Sequence, residues 1–93
     1  AARLLIHRVA CNAEHGLPSI LDSSVAKCFS NEIAREVTGS ALQLMGAYGY
    51  SKEFGMERRM RDSWGWDIAG GAIDIQKVNI ASAMAGRRFN QRA

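Results

Sequence analysis

Proline is nearly missing from this sequence: Pro18 stands alone among 93 residues, and the nine glycines follow no fixed period. That excludes proline-rich linkers and collagen-like repeats, and a content of 47% hydrophobic and 23% charged residues argues against disorder. Cysteine is equally sparse. Cys11 and Cys28 are too few for a disulfide framework and read as free, buried thiols of a reducing compartment. No apolar run approaches the ~18 residues that a membrane-spanning helix needs. Residues 1–8 are basic and apolar but lack a long apolar core and a cleavage site, so they are not a signal peptide. Charge of one sign is also scarce: 12 Lys and Arg against 9 Asp and Glu leave a net +3. That excess suits an anionic partner such as a phosphate-bearing cofactor and does not single out nucleic acid. A Walker-type glycine loop is absent, as is any Ser/His/Asp or Cys/His arrangement. A chain of this length makes one domain at most and is marginal at burying its own core. It begins inside a helical pattern without Met or a cap, which predicts a piece of something longer.

What the sequence does contain is helical periodicity. Leu5, Val9 and Ala13 recur every four residues and predict a helix over residues 1 to about 15, stopped by Gly16 and Pro18. A long helix is expected over 19–45, capped by Ser19. Its stripe is Leu21, Val25, Phe29, Ile33, Val37, Ala41 and Leu44, and its opposite face carries Lys27, Asn31, Arg35 and Glu36. Gly39 inside it costs roughly 1 kcal/mol against Ala, which close packing or a ligand would explain. A short helix is expected over 56–61. Residues 63–69 lack a helical period and read as a connector. The last helix, about 72–86, has apolar residues on two sides (Ile73, Ile80, Met84 and Ile75, Val78, Ala85) and reads as largely buried. The residues after it form a basic tail. The fold class is therefore all-α, an up-down helical bundle in one domain over residues 1–93.

Few constellations carry chemistry. His7, Cys11 and His15 fall at i, i+4 and i+8, a ligand-like spacing. With no fourth ligand or acid beside them, a half-buried helix edge is favoured and no metal is expected. Gly70-Gly71 precedes a helix whose free N–H groups and positive dipole end suit an anion, although a plain turn explains the same glycines. Arg58, Arg59, Arg61, Arg87, Arg88 and Arg92 could meet phosphates, and Trp64 and Trp66 could stack on a flat ring. The interleaved Glu57, Asp62 and Asp67 favour a solvated or subunit-interface face over nucleic acid. For the tryptophans, packing is favoured over ligand contact.

Three ordered stretches add to this. Ala26-Lys27-Cys28-Phe29-Ser30-Asn31-Glu32-Ile33-Ala34, Ala41-Leu42-Gln43-Leu44-Met45-Gly46-Ala47-Tyr48-Gly49-Tyr50, and Arg61-Asp62 followed by Gly71-Ala72-Ile73-Asp74-Ile75-Gln76-Lys77 run without gaps. Together they resemble the C-terminal α-domain of acyl-CoA dehydrogenases over residues 26 to about 81, with residues 1–25 fitting the preceding helix loosely. The resemblance implies a four-helix bundle whose first helix is missing here, and a homotetramer or dimer with FAD between subunits. By that resemblance Gln43, Gly46 and Gly49 approach the ADP portion of FAD from a neighbouring subunit, where a missing Cβ lets backbone N–H groups reach a pyrophosphate. Ala72 and Asp74 line the same cofactor, at positions where Thr and Gln or Glu are common.

The reaction implied is α,β-dehydrogenation of an acyl-CoA thioester: a carboxylate takes the α-proton while the flavin accepts a hydride. The position of the usual catalytic glutamate is occupied by Gly70, which cannot take a proton, so the catalytic residue is left unassigned. Asp67, the nearest acid, falls three residues early. The resemblance further implies an electron-transfer flavoprotein as partner and a cytoplasmic location, or the mitochondrial matrix in a eukaryote. The isolated chain is expected to be inactive. The rival reading is a non-enzymatic helical module that self-associates.

Overall fold

In the computed structural model, which describes residues 1–13 and 16–89, the periodic segments form five α-helices and no strand among the described residues. Helix α1 is Ala2–Cys11. It ends short of the expected boundary because Asn12 leaves helical geometry while its N–H still bonds the Arg8 carbonyl at 3.0 Å. Helix α2, Ile20–Met45, is the spine. Ser19 caps it: Oγ accepts the Asp22 N–H at 3.0 Å, satisfying one of the otherwise unpaired amino-end donors. Gly46, at φ +59, closes it by donating to the carbonyls of Leu42 and Gln43, both at 3.1 Å.

A single turn, α3 (Ala47–Tyr50), and a 3-10 turn, Lys52–Phe54, reverse the chain. Gly49 is required there. A Cβ on it would lie 2.8 Å from both the Leu42 carbonyl oxygen and the Met45 Cβ. The expected packing reason for Gly39 is not present within this chain, because a Cβ there would meet nothing within 4 Å.

Helix α4 runs Met56–Ile68, more than twice the expected length, and absorbs most of the segment read as a connector. Helix α5 is Ile73–Met84. The helices α1, α4 and α5 all pack on α2. The buried apolar residues are Val9, Ala26, Cys28, Met56 and Ile73, accompanied by buried Ser24, Ser63 and Asp67. Cys11, read from sequence as a buried thiol, is exposed.

Two further expectations are corrected. None of the seven stripe residues of α2 is buried, and Val37 and Leu44 are 58% and 89% exposed. The side of α2 that meets α4 and α5 carries Ser24, Cys28, Asn31, Arg35 and Thr38, spaced 4, 3, 4, 3 in the manner of a packing seam. Helix α5, expected to be largely buried, buries Ile73 alone, because α2 is its main neighbour among the described residues. The result is a slab of 48 × 35 × 18 Å with a radius of gyration of 16.0 Å, against ~13 Å for a compact 100-residue domain. No helix among the described residues is long and apolar enough to cross a membrane.

Candidate functional site

The turn between α4 and α5 concentrates the polar chemistry. Ala69 ends α4 in extended geometry, and Gly70 and Gly71 follow at φ +66 and +88, a left-handed region that non-glycine residues seldom enter. The carbonyls of Ala69, Gly70 and Gly71 turn toward one point. Lys27 Nζ occupies it, donating to them at 2.6, 2.7 and 2.8 Å. One turn further along α2, Asn31 donates to the Trp66 carbonyl at 2.7 Å. These two side chains satisfy acceptors that the end of α4 and the following turn leave open, and the ammonium also complements the negative end of the α4 dipole. Gln76 returns from α5 to donate to the Gly71 carbonyl at 3.2 Å, while its Oε1 accepts from Ser24 Oγ at 2.8 Å.

Below this turn Arg35 pairs with Asp67 and lies over the Trp64 ring, 4.1 Å from its centroid. The Asp67 side chain is 5% exposed. It faces α2 as the partner of a guanidinium, an arrangement for holding helices together rather than for taking a proton from a ligand. Thr38 and Ser63 complete the seam at 3.0 Å. At the other end, Cys28 sits buried with its Sγ 3.9 Å from the Ile73 carbonyl. Burial pushes its thiol pKa up, and the nearby Glu32 carboxylate adds to the shift. Glu32 also accepts from Lys77 Nζ at 2.7 Å, and this hydrogen bond, with the carboxylate charge, raises the Lys77 pKa.

The structure divides the sequence-predicted residues into two groups. Ala72 and Asp74 lie at the amino end of α5, beside Cys28 and Lys27 near the start of α2. Gln43 and Gly46 are exposed at the far end of α2, and Gly49 is buried against it. Sixteen residues separate Lys27 from Gln43 on one helix, or ~24 Å at ~1.5 Å per residue. Gly70 is exposed, and a Cβ on it would lie 3.3 Å from Lys27 Nζ.

Both groups leave backbone open to approach. The head of α5 has no side-chain cap, so its first N–H groups have no partner within the helix. Around Gly46 a Cβ would meet nothing within 4 Å, so another surface can approach the backbone there. Both features fit an extended, phosphate-bearing cofactor. Sequence reasoning missed Lys27, Asn31 and Arg35, although all three stood on one face of the long helix.

The remaining features are dispersed. Trp64 and Trp66 are 49% and 66% exposed, so neither is packed away within this chain. Trp66 lines an open hollow with Arg61, Asp62, Gly65 and Ala69. Among the described residues no three His, Cys, Asp or Glu side chains gather as a metal site. His15, of the suspected trio, and Arg92 lie outside the described residues.

Comparison with known proteins gives a consistent result. Residues 1–85 match the family model described as acyl-CoA dehydrogenase, C-terminal domain. A probable acyl-CoA dehydrogenase of Mycobacterium leprae is 42% identical over 85 residues, covering 90% of this chain and 22% of that protein. A 3-sulfinopropanoyl-CoA desulfinase of Cupriavidus necator is 38% identical over 91 residues, 98% of this chain and 23% of that protein. The chain thus spans under a quarter of these curated relatives. A solved structure described as an electron transferring flavoprotein of Acidaminococcus fermentans contains a chain that superposes with a TM-score of 0.82. The two are 32% identical, over 89% of this chain and 22% of that one.

Proposed function

The chain belongs to the acyl-CoA dehydrogenase family, as a C-terminal domain of it, and from this premise we propose that it supplies FAD-binding and subunit-interface surface to an FAD-dependent oxidoreductase acting on an acyl-CoA thioester. The observation that carries the reading is the placement of the two backbone-presenting groups at opposite ends of α2, ~24 Å apart. One copy of this chain cannot close both around one portion of a cofactor, whereas two copies in an oligomer can. The family resemblance implies a homotetramer or dimer, and that separation is compatible with it. The unburied stripe of Leu21, Phe29, Val37 and Leu44 offers the apolar surface that such an assembly covers.

When bound, FAD supplies the hydride acceptor. The chain's own residues bind and orient. The uncapped N–H groups that follow Ala72 would meet acceptors of the cofactor, Asp74 would offer a carboxylate to its donors, and Gln43 and Gly46 would serve a neighbouring subunit's molecule. On this reading neither Gly70, which has no side chain, nor Asp67, which is buried against Arg35, removes the α-proton. The base for dehydrogenation comes from outside this chain, and an electron-transfer flavoprotein takes the electrons onward.

One observation favours a second version. One relative bears the name of a desulfinase, which denotes loss of a sulfinate group from a CoA thioester, and by the family resemblance Gly70 matches the position of the usual glutamate. In that version the site keeps the thioester and the cofactor but not the α-proton abstraction.

The test uses the whole protein that carries this chain: its visible spectrum is recorded, and acyl-CoA thioesters are added without oxygen. A flavin spectrum that bleaches supports dehydrogenation with a base outside this chain. Bound flavin that no member of a broad thioester panel bleaches supports the second version. Absence of flavin even after adding FAD would overturn both and leave a helical self-association module.

A further inference from the structure

The three carbonyls gathered around Lys27 raise a question that packing alone does not answer. Three aligned carbonyl oxygens repel one another, and two consecutive glycines in left-handed geometry lose more backbone freedom than any other pair. Such a turn persists where something holds it closed. An ammonium has three donors and no acceptor, which matches three converging acceptors one for one. Hydrogen bonds to a charged group are also roughly twice as strong as neutral ones. Lys27 reaches this point from the interior of α2, between the buried Ala26 and Cys28. Asn31 on the preceding carbonyl of Trp66 and Gln76 on the Gly71 carbonyl lock the flanks.

The turn in turn sets the direction of α5, because Ala72 follows directly and Gln76 N–H bonds its carbonyl at 3.1 Å. We infer that Lys27 is a positioning residue for the cofactor surface: its bonds to Ala69, Gly70 and Gly71 aim the uncapped head of α5, with Ala72 and Asp74, at the FAD. The inference rests on the function proposed above. Lys27 touches neither cofactor nor substrate in this account and acts through the turn.

The experiment uses the whole protein with Lys27→Met and Lys27→Arg, read by backbone hydrogen exchange, FAD titration and the flavin absorption spectrum. In Lys27→Met, exchange over residues 70–76 rises at least roughly tenfold, while residues 38–45 keep their protection. FAD binding weakens by at least roughly tenfold, and the bound flavin's absorption bands move toward those of free FAD. Lys27→Arg, which keeps the charge and several donors, retains wild-type bands and most of the affinity. If Lys27→Met does not fold, Lys27→Gln gives the same readouts, since it keeps two donors and loses the charge. Unchanged exchange at 70–76 would overturn the inference, because the turn would then hold itself. Raised exchange with unchanged FAD affinity and spectrum would also overturn it, as would the failure of Lys27→Arg to restore either. A wild-type protein that takes up no FAD identifies the other failure, that of the functional reading itself, and the inference falls with it.

Discussion

Arg35 on α2 and Asp67 on α4 form a paired charge in which the carboxylate is 5% exposed and the guanidinium 34%. Asp67 Oδ1 and Arg35 Nε are buried without partners of their own, so the pair depends on its one shared contact and on the Trp64 face. Removing one partner leaves the other charge with no compensation. Arg35→Ala is expected to cost about 3 kcal/mol, the low end for a buried pair because the guanidinium is partly hydrated. The double change Arg35→Met with Asp67→Leu should cost less than Arg35→Ala alone. Chemical denaturation of the three variants decides this; equal losses for the single and double changes would contradict it.

Gly49 and Gly39 should respond in opposite directions. At Gly49 a Cβ runs into the Leu42 carbonyl and the Met45 side chain, so Gly49→Ala is expected to destabilise by about 1–3 kcal/mol through overpacking. At Gly39 there is open space on a regular helix, so Gly39→Ala is expected to stabilise by about 0.5–1 kcal/mol. Thermal melting of both variants is the check. A loss at Gly39 would show that a neighbour outside this chain lies against it.

The same pair of cases shows what was legible in the sequence. The α2 helix could be read because its period is long and its ends carry ordinary signals, Ser19 at the start and Gly46 at the close. The second half of α4 could not. It is held to α2 by Ser63, Asp67 and the Trp66 carbonyl, all polar. The contact therefore leaves no apolar stripe to count, and Gly65 between two tryptophans suggests a loop. For the same reason Lys27, Asn31 and Arg35 read only as the face opposite the apolar stripe, when they form the side on which α4 and α5 pack. The apolar stripe, conversely, marks surface that this chain leaves open. Periodicity identifies which residues share a face and is silent on which element covers it. The candidate cofactor residues came from the family resemblance alone, and their division between the two ends of α2 was visible only in three dimensions.

Position 70 should not accept a base without cost. Gly70→Glu places a side chain at φ +66, where an L-residue pays about 1–2 kcal/mol, and sets its Cβ 3.3 Å from Lys27 Nζ. The ammonium would hold the new carboxylate in its charged, weakly basic form. Anaerobic assays should show a gain in thioester dehydrogenation well below the ~10²-fold or more that a positioned general base contributes. A gain of that full size would show the site ready for a glutamate.

Alkaline stability follows from Cys28 and Lys77, both of which hold their protons more tightly in the folded chain. Above the ordinary thiol value of ~8.5 the folded state then binds more protons than the unfolded state, so stability falls as pH rises. The loss through Cys28 begins there and runs up to its raised folded value; that through Lys77 begins near ~10.4. Denaturation midpoints measured from pH 7 upward should decline, and Cys28→Ser should remove the earlier part of the decline. A flat profile in the wild type would show that Cys28 is not desolvated in the native protein. Slow alkylation of Cys28 in the native state, becoming fast on unfolding, gives the same information by an independent route.

The length of α2 between Lys27 and Gln43 has a consequence of phase. On a continuous helix each residue advances ~1.5 Å and turns ~100°, so the two ends are geared to one another. Deleting one residue in this stretch would shorten the spacing trivially but swing Gln43 and Gly46 a quarter turn or more away from their present heading relative to Lys27. Removing seven would leave them within ~20° of their present heading while drawing them ~10 Å closer. The helix is thus far more tolerant of error in distance than in rotation, and gaps of one or two residues there should be less tolerated than a gap of seven.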